Sequence, residues 1–487
     1  MSTPPAHGVA PRTELPDALA DMRRLYELQR RAFASSPAPD LRARLQSLTR
    51  LADAISANSP TIAAAISEDF GNRSRHETYL LELIPLNNAI RHAKQNLARW
   101  MRPEPREVAW YCRPSAAWVQ HQPLGVVGIL SPWNYPLSLA LIPVVDAMAA
   151  GNRVLLKPPE LTPAFSSCLQ RVLGQAFAEE ELALVIGGTD VAEQFIRLPL
   201  DHILFTGSTA VGRKVLAAAA ENLTPVTLEL GGKSPVVICP DYDVGAAARD
   251  ITYPKLATAG QTCIAPDYAL APAATARPLA EAIVAEARRL YPSIDGNPDY
   301  TSIFSDRHYQ RLRSALDEAR AGGAEILSQD GEPRGARKMG LSVVLRPPLD
   351  CALMREEIFG PVLPIVSYDT LDEAIAFVNE REKPLALYCL THDRTFRQAV
   401  LDRTMSGGVT INGAFLHQAQ DDLPFGGVGH SGIGSYHGHA GFRRFSHARS
   451  VYHVRLINVV HFLSPPYGRL ARRAIRVLGS RPAADSC

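Results

Sequence analysis

Between residues 17 and 102 apolar residues recur every three or four positions against charged neighbours, as in "LRARLQSLTRLADAISANSPTIAAAISEDF", and this spacing predicts a set of amphipathic helices. From residue 119 the texture changes to short apolar runs separated by helical segments. "VQHQPLGVVGIL", "NRVLLKPP", "LALVIGG" and "DHILFTG" predict strands; "LSLALIPVVDAMAAG", "TPAFSSCLQRVLGQAF", "VAEQFIRL" and "STAVGRKVLAAAAEN" predict helices between and after them. Strands alternating with helices of that length predict a doubly wound parallel α/β sheet, which binds ligands outside the carboxyl ends of its strands. A second such series runs from "VTLELGGKSPVVIC" to "LDEAIAFVNE" and predicts a second α/β unit.

Two stretches break this rhythm. "LSLALIPVVDAMAA" is too short to span a bilayer, which takes roughly 20 apolar residues, and it contains Pro143 and Asp146, so it reads as a buried helix. At the other end, "SPPYGRLARRAIRVLGSRPAADSC" sets Leu470, Ile475 and Leu478 against Arg469, Arg472, Arg473, Arg476 and Arg481. A basic amphipathic helix of this kind either docks on the body or a partner subunit, which is the favoured expectation, or lies on an anionic membrane surface.

Composition narrows the function. The net charge of +2 over 487 residues gives no basic face for nucleic acid. The seven cysteines are scattered and never spaced as CxxC, which argues against a disulfide framework and a zinc site and for a reducing cytosol. The opening "MSTPPAHGVAPRTELPD" lacks an apolar core of signal-peptide length, and its first fifteen residues are expected to form a loose tail.

One cysteine stands apart. Cys263 lies in "GQTCIAP", a polar, glycine-marked bend where backbone dipoles are expected to lower the thiol pKa and favour the nucleophilic thiolate. In "SPWNYP", Pro132 and Pro136 fix the backbone around Asn134, whose amide is suited to donate to an oxyanion. In "TLELGGKSP", Glu229 ends an apolar strand before Gly231 and Gly232, which places a carboxylate at a cleft where burial would raise its pKa toward that of a useful general base.

Taken in order, "PWNYP", "LKPPE", "FTGSTAVG", "LELGGKSP", "GQTCIAPDY", "EEIFGPVLP" and "LPFGGVGHSGIGSYHG" resemble the motifs of the aldehyde dehydrogenase superfamily from about residue 20 to about residue 455. Within it the chain is most similar to the class 3-like branch and its coniferyl aldehyde dehydrogenases. The resemblance implies two Rossmann-like parallel-sheet domains and a small β oligomerisation arm. The implied division is a flexible tail at 1–15, an NAD(P)-binding domain at 16–106 and 124–229, a catalytic domain at 230–411, oligomerisation segments at 107–123 and 412–455, and a basic tail at 456–487. It implies that Cys263 attacks an aldehyde, that Asn134 and the Cys263 N–H hold the oxyanion, and that Glu229 activates the water that hydrolyses the thioester. For the cofactor, NAD with NADP also open, it implies Lys157 and Glu160 at the adenosine ribose and Gly207 and Ser208 at the pyrophosphate. Glu357 then falls at the nicotinamide ribose and Phe359 beside the nicotinamide.

The family also implies a homodimer formed by pairing the "AWVQHQPL" and "RSVYHVRL" regions across subunits. Three alternatives remain at this level: a long-chain fatty aldehyde dehydrogenase held at a membrane by its tail, an acylating enzyme releasing its thioester to coenzyme A, and a non-catalytic relative. Gly427, Gly429 and Gly432 satisfy G-x-G-x-x-G without the strand, helix and acidic residue that fingerprint requires. His430, His437, His439 and His447 are too irregularly spaced for a metal site. Asn412–Gly413 and "KPPE" depart from the commoner family residues.

Overall fold

The structure is a computed structural model that describes residues 15–36, 38–329, 337–456 and 458–479. Most of the predicted loose tail therefore lies outside the described residues. The chain opens with helices α1 (Leu15–Ser35), α2 (Leu41–Phe70), a short α3 (Arg75–Thr78) that passes into a π-helical turn at Tyr79–Leu83, and α4 (Ile84–Trp100). Asp40 caps α2 by accepting from the Ala43 N–H, and Gly71 ends it in the left-handed conformation (φ 75°) that glycine tolerates best.

Two strands follow, β1 (Glu104–Arg106) and β2 (Ala116–Pro123). The first α/β series is β3 (Val126–Leu130), α5 (Ser138–Ala150), β4 (Arg153–Lys157), α6 (Pro163–Ala176), β5 (Leu182–Leu184), α7 (Thr189–Phe195), β6 (His202–Thr206), α8 (Thr209–Ala220) and β7 (Val226–Glu229). The second is β8 (Pro235–Ile238), α9 (Val244–Leu256), β9 (Tyr268–Pro272), α10 (Ala276–Leu290), α11 (Asp306–Ala321), β10 (Glu325–Ser328), β11 (Ser342–Leu345), α12 (Ala352–Arg355), β12 (Val362–Tyr368), α13 (Leu371–Asn379), β13 (Ala386–Leu390), α14 (Arg394–Arg403) and β14 (Gly408–Ile411). The chain closes with β15 (Gly432–Ile433), α15 (Gly438–Arg444), β16 (Ser446–His453), α16 (Val460–Leu463) and α17 (Arg469–Leu478).

These strands form two α/β sheets and one small antiparallel sheet, the fold class expected from the sequence. The first sheet has the order β15-β7-β6-β3-β4-β5 and is parallel except for its β15 edge. Its strands are buried on both faces, and period-two alternation divides them: Val126 and Leu130 pack with α1, α7 and α8, while Val127 and Ile129 pack with α2, α4, α5 and α6. Every residue of α5 is buried. Its one charge, Asp146, accepts from the His437 N–H at 3.1 Å.

The second sheet has the order β10-β11-β12-β9-β8-β13-β14, parallel except at β10. In the small sheet, β2 is flanked by β1 and β16, Ser446 to His453 pairing antiparallel with Pro123 to Ala116. The two segments expected to pair across subunits thus pair with each other inside one chain, and β1 and β16 form the edges of this sheet.

In the basic tail, helix α17 buries only Ala471, and Leu470, Ile475 and Leu478 are 62%, 68% and 46% exposed, so these apolar side chains are not covered by the described residues of their own chain. No helix among the described residues is long and apolar enough to cross a membrane.

Candidate active site

Parallel pairing brings four strand ends to one edge of the first sheet. Leu130 lies beside Lys157 and Phe205, and Thr206 beside Glu229, so the segments that follow β3, β4, β6 and β7 emerge together. Chain order reverses between β3 and β6, which makes this edge the switch point where such sheets bind ligands. Facing it are loops that precede strands of the second sheet: Gly231 and Gly232 before β8, Cys263 before β9, and Glu357 and Phe359 before β12. The carboxyl-end rule therefore places half of the site, and amino-end loops supply the other half.

Between them lies a cleft of about 620 Å³, lined by Asn134, Lys157, Glu160, Gly207, Ser208, Glu229, Cys263, Glu357 and Phe359 among others. All nine residues singled out in the sequence share this one space. No group of His, Cys, Asp or Glu suited to a metal occurs among the described residues.

Asn134 is 3% exposed, and its Nδ2 donates to the Gln261 carbonyl at 3.1 Å, which leaves the second N–H of the amide for the cleft. Tyr135 Oη lies 2.8 Å from Thr262 Oγ1 and accepts from Thr258 Oγ1 at 3.0 Å, so the Asn134 loop and the cysteine loop are stitched together on both sides. Gln261 completes the stitching, donating to the Thr258 and Ser302 carbonyls and accepting from the Phe304 N–H. Thr258 and Ala259 both hold positive φ (51° and 52°) just ahead of the nucleophile's bend.

The surroundings of the cysteine raise its thiol pKa, opposite to the lowering expected from its bend. Its residue surface is partly open to the cleft, yet burial of the sulfur, then Glu357, then Glu229 push the thiol up to about 12, while the N–H groups of Cys263 and Ile264 pull the other way. Burial also drives Glu229, 2% exposed, well above the carboxylate range. Glu357 rises to about 8, chiefly through burial and secondarily through Asp267.

The cleft is built for a polar ligand. Both Glu229 oxygens, Glu357 Oε1, Thr206 Oγ1 and Ser131 Oγ are buried without a hydrogen-bond partner, and all belong to cleft-lining residues. Ser208 caps α8, a twelve-residue helix, by accepting from the Val211 N–H, so the helix presents its N-terminus to the cleft. Lys157 is almost fully buried and donates to Glu160 Oε2 at 3.0 Å. A Cβ on Gly231 would lie 2.0 Å from Glu357 Oε2, so glycine there is what makes room for that carboxylate. These donors, acceptors and cradles fit a dinucleotide.

Several residues that hold the site were not legible as functional. Lys233 pairs with Asp267 and donates to the Leu353 and Glu356 carbonyls at 2.7 and 2.9 Å, while Asp267 accepts from the Ile358 N–H at 3.0 Å. On the other side, His308 Nε2 meets the Phe359 carbonyl at 2.6 Å and Arg311 donates to the Glu357 and Ile358 carbonyls. The loop carrying Glu357 and Phe359 is thereby held from two directions, with Phe359 at φ 53° and Trp133 edge-on to its ring at 5.6 Å. Lys233 and Asp267 sit inside the quoted motifs and could have been noticed there; His308 and Arg311 carried no signal beyond an amphipathic helix.

The aldehyde dehydrogenase family model matches residues 14–451. A probable coniferyl aldehyde dehydrogenase of Pseudomonas aeruginosa is 44% identical over 451 residues, covering 93% of this chain and 94% of that protein. Among solved structures, the substrate-bound state of Staphylococcus aureus AldH superposes with a TM-score of 0.89 at 35% identity, covering 94% of this chain and 99% of that one. A Mycobacterium tuberculosis aldehyde dehydrogenase complexed with NAD+ has a TM-score of 0.80 at 27% identity, over 89% of this chain and 90% of that one.

Proposed function

Because the chain belongs to the aldehyde dehydrogenase family, we propose that it oxidises a bulky aromatic or apolar aldehyde, of the coniferyl type, to the carboxylic acid with NAD(P). The observation that carries the reading is the convergence of Cys263, Asn134 and Glu229 on the cleft that also holds the cofactor candidates. The name of the Pseudomonas relative supports the substrate class, and Trp133, Phe304 and Phe359 place aromatic surface next to the cleft.

In this reading Cys263 reacts through the fraction of its thiol that has released its proton to solvent: the thiolate sulfur attacks the carbonyl, and the free N–H of the Asn134 amide and the Cys263 backbone N–H donate to the oxyanion of the thiohemiacetal. NAD(P), when bound, supplies a hydride acceptor. Lys157 and Glu160 would hold its adenosine ribose, the α8 N-terminus at Gly207 and Ser208 its pyrophosphate, and Glu357 and Phe359 its nicotinamide end. Glu160 favours a free ribose 2′-hydroxyl, hence NAD, because a 2′-phosphate would meet its charge. Loss of hydride leaves a thioester on Cys263. Glu229, unpartnered and strongly basic once ionised, takes a proton from the water that hydrolyses it, which favours acid over a coenzyme A ester as product.

Two finer readings accompany this one. The exposed edges of the small sheet suit pairing with a second copy, as a homodimer requires. The exposed apolar face and arginines of α17 suit peripheral attachment to an anionic membrane from the cytoplasm. Steady-state kcat/KM for cinnamyl-type, benzaldehyde-type and long aliphatic aldehydes, each with NAD and NADP and with or without coenzyme A, tests the substrate reading. A preference for the long aliphatic aldehyde, or product formation dependent on coenzyme A, would overturn it.

A further inference from the structure

Arg73 and Glu82 form an ion pair at 3.2 Å with both side chains fully buried, behind the Asn134 loop and away from the cleft lining. The guanidinium lies between the rings of Phe70 and Tyr135, 4.9 and 4.8 Å from their centroids. It donates to the Asn134 carbonyl at 2.5 Å and to Thr258 Oγ1 at 3.4 Å. Glu82 Oε2 accepts from the N–H groups of Leu137 and Ser138, at 2.8 and 3.1 Å. The pair thus grips the backbone of the Asn134 loop on both sides of its second proline, and through Thr258 it reaches the left-handed turn that leads to Cys263.

Local structure is arranged to deliver Glu82. The π-helical turn at Tyr79–Leu83 interrupts the α-helical phase where Glu82 must point inward, and such turns recur at functional sites. Nearby, Glu77 Oε1 accepts from the Thr258 N–H at 2.9 Å, so the same helical segment anchors the far end of the network. Stability alone does not account for the pair, because buried ion pairs are often no better than well-packed apolar residues. What the fork of an arginine does supply is several donors in fixed directions.

We propose that the buried Arg73–Glu82 pair is a positioning device that sets the Asn134 amide against the Cys263 sulfur and so governs the chemical step without touching substrate or cofactor. The proposal rests on the reading of Asn134 as oxyanion donor. Misplacing a donor by an ångström is enough to slow a reaction by about a hundredfold.

The test compares Arg73→Lys, the charge-balanced double variant Arg73→Met with Glu82→Gln, Asn134→Ala, and the triple combination, in pre-steady-state bursts of reduced cofactor with a cinnamyl-type aldehyde. The double variant removes both charges together, so neither is left buried alone. Its burst is expected to slow about tenfold to a hundredfold while KM for the dinucleotide stays within about twofold, and adding Asn134→Ala is expected to cost less than about threefold more. A burst within about threefold of the parent, or losses that multiply with Asn134→Ala, would overturn the proposal. Should the double variant not fold, Arg73→Lys decides: a slowed burst at unchanged cofactor KM supports positioning, and an unchanged burst refutes it. A normal burst in Asn134→Ala alone would instead remove the oxyanion reading, and the proposal with it.

Discussion

Replacing Glu229 by glutamine separates the chemistry of this residue from its burial. The side chain is 2% exposed, neither oxygen has a partner, and burial lifts its pKa well above the ordinary carboxylate value. The folded protein therefore holds a proton that the unfolded chain releases near pH 4.3, and folding stability falls as pH rises from that value toward the folded pKa, by about 1.4 kcal/mol per pH unit. Glutamine has nearly the same shape and no charge, so the variant is free of this loss. At about 2.1 cal/mol/K per residue over 487 residues, 1 kcal/mol corresponds to about 1 °C in Tm. The variant should match the parent near pH 4.5 and gain on it by about 1.4 °C per pH unit above that. Kinetically, loss of a general base costs about 10²- to 10⁴-fold in kcat, but the hydride step comes first, so a burst of reduced cofactor equal to the enzyme concentration should survive. Calorimetry from about pH 4.5 to 9 and stopped-flow absorbance measure the two effects. Parallel Tm curves would refute the burial argument; a kcat within about tenfold of the parent would refute the assignment of Glu229 as base.

Other outcomes follow from the same geometry. With its thiol pushed up to about 12, Cys263 in the cofactor-free protein should react with iodoacetamide at a rate that climbs about tenfold per pH unit through pH 10, and a plateau below about pH 8.5 would contradict the environment described here. Gly231→Ala sets a Cβ against the Glu357 carboxylate and should raise KM for the dinucleotide about tenfold or more with little change in Tm, whereas an unchanged KM would mean that Glu357 does not contact the cofactor. Liposomes containing anionic lipid should float the full chain but not a version truncated after Tyr452, and the difference should fade as salt screens the arginines; equal behaviour would end the membrane reading.

The nine residues that line the cleft were legible as candidates because each announces itself locally: at a strand end, beside a proline, or in a glycine-marked bend. Parallel topology then does the rest, since carboxyl ends of neighbouring strands emerge together whatever lies between them in the chain. Arg73, in the loop between α2 and α3, and Glu77 and Glu82 on the helical segment after it gave no such signal, because a buried charge and a solvated one look alike in sequence until the partner is known, and the partner of Arg73 at the Asn134 carbonyl stands 61 positions away. The direction in which the Cys263 thiol shifts was not legible for a related reason. Its local backbone does what the bend suggested, its own N–H and that of Ile264 favouring the anion, but burial and two carboxylates brought in by the fold outweigh them. Those carboxylates are themselves held up, Glu357 to about 8 and Glu229 well above its usual range. Near neutrality much of their charge is therefore absent, and the thiol is opposed mainly by its own desolvation.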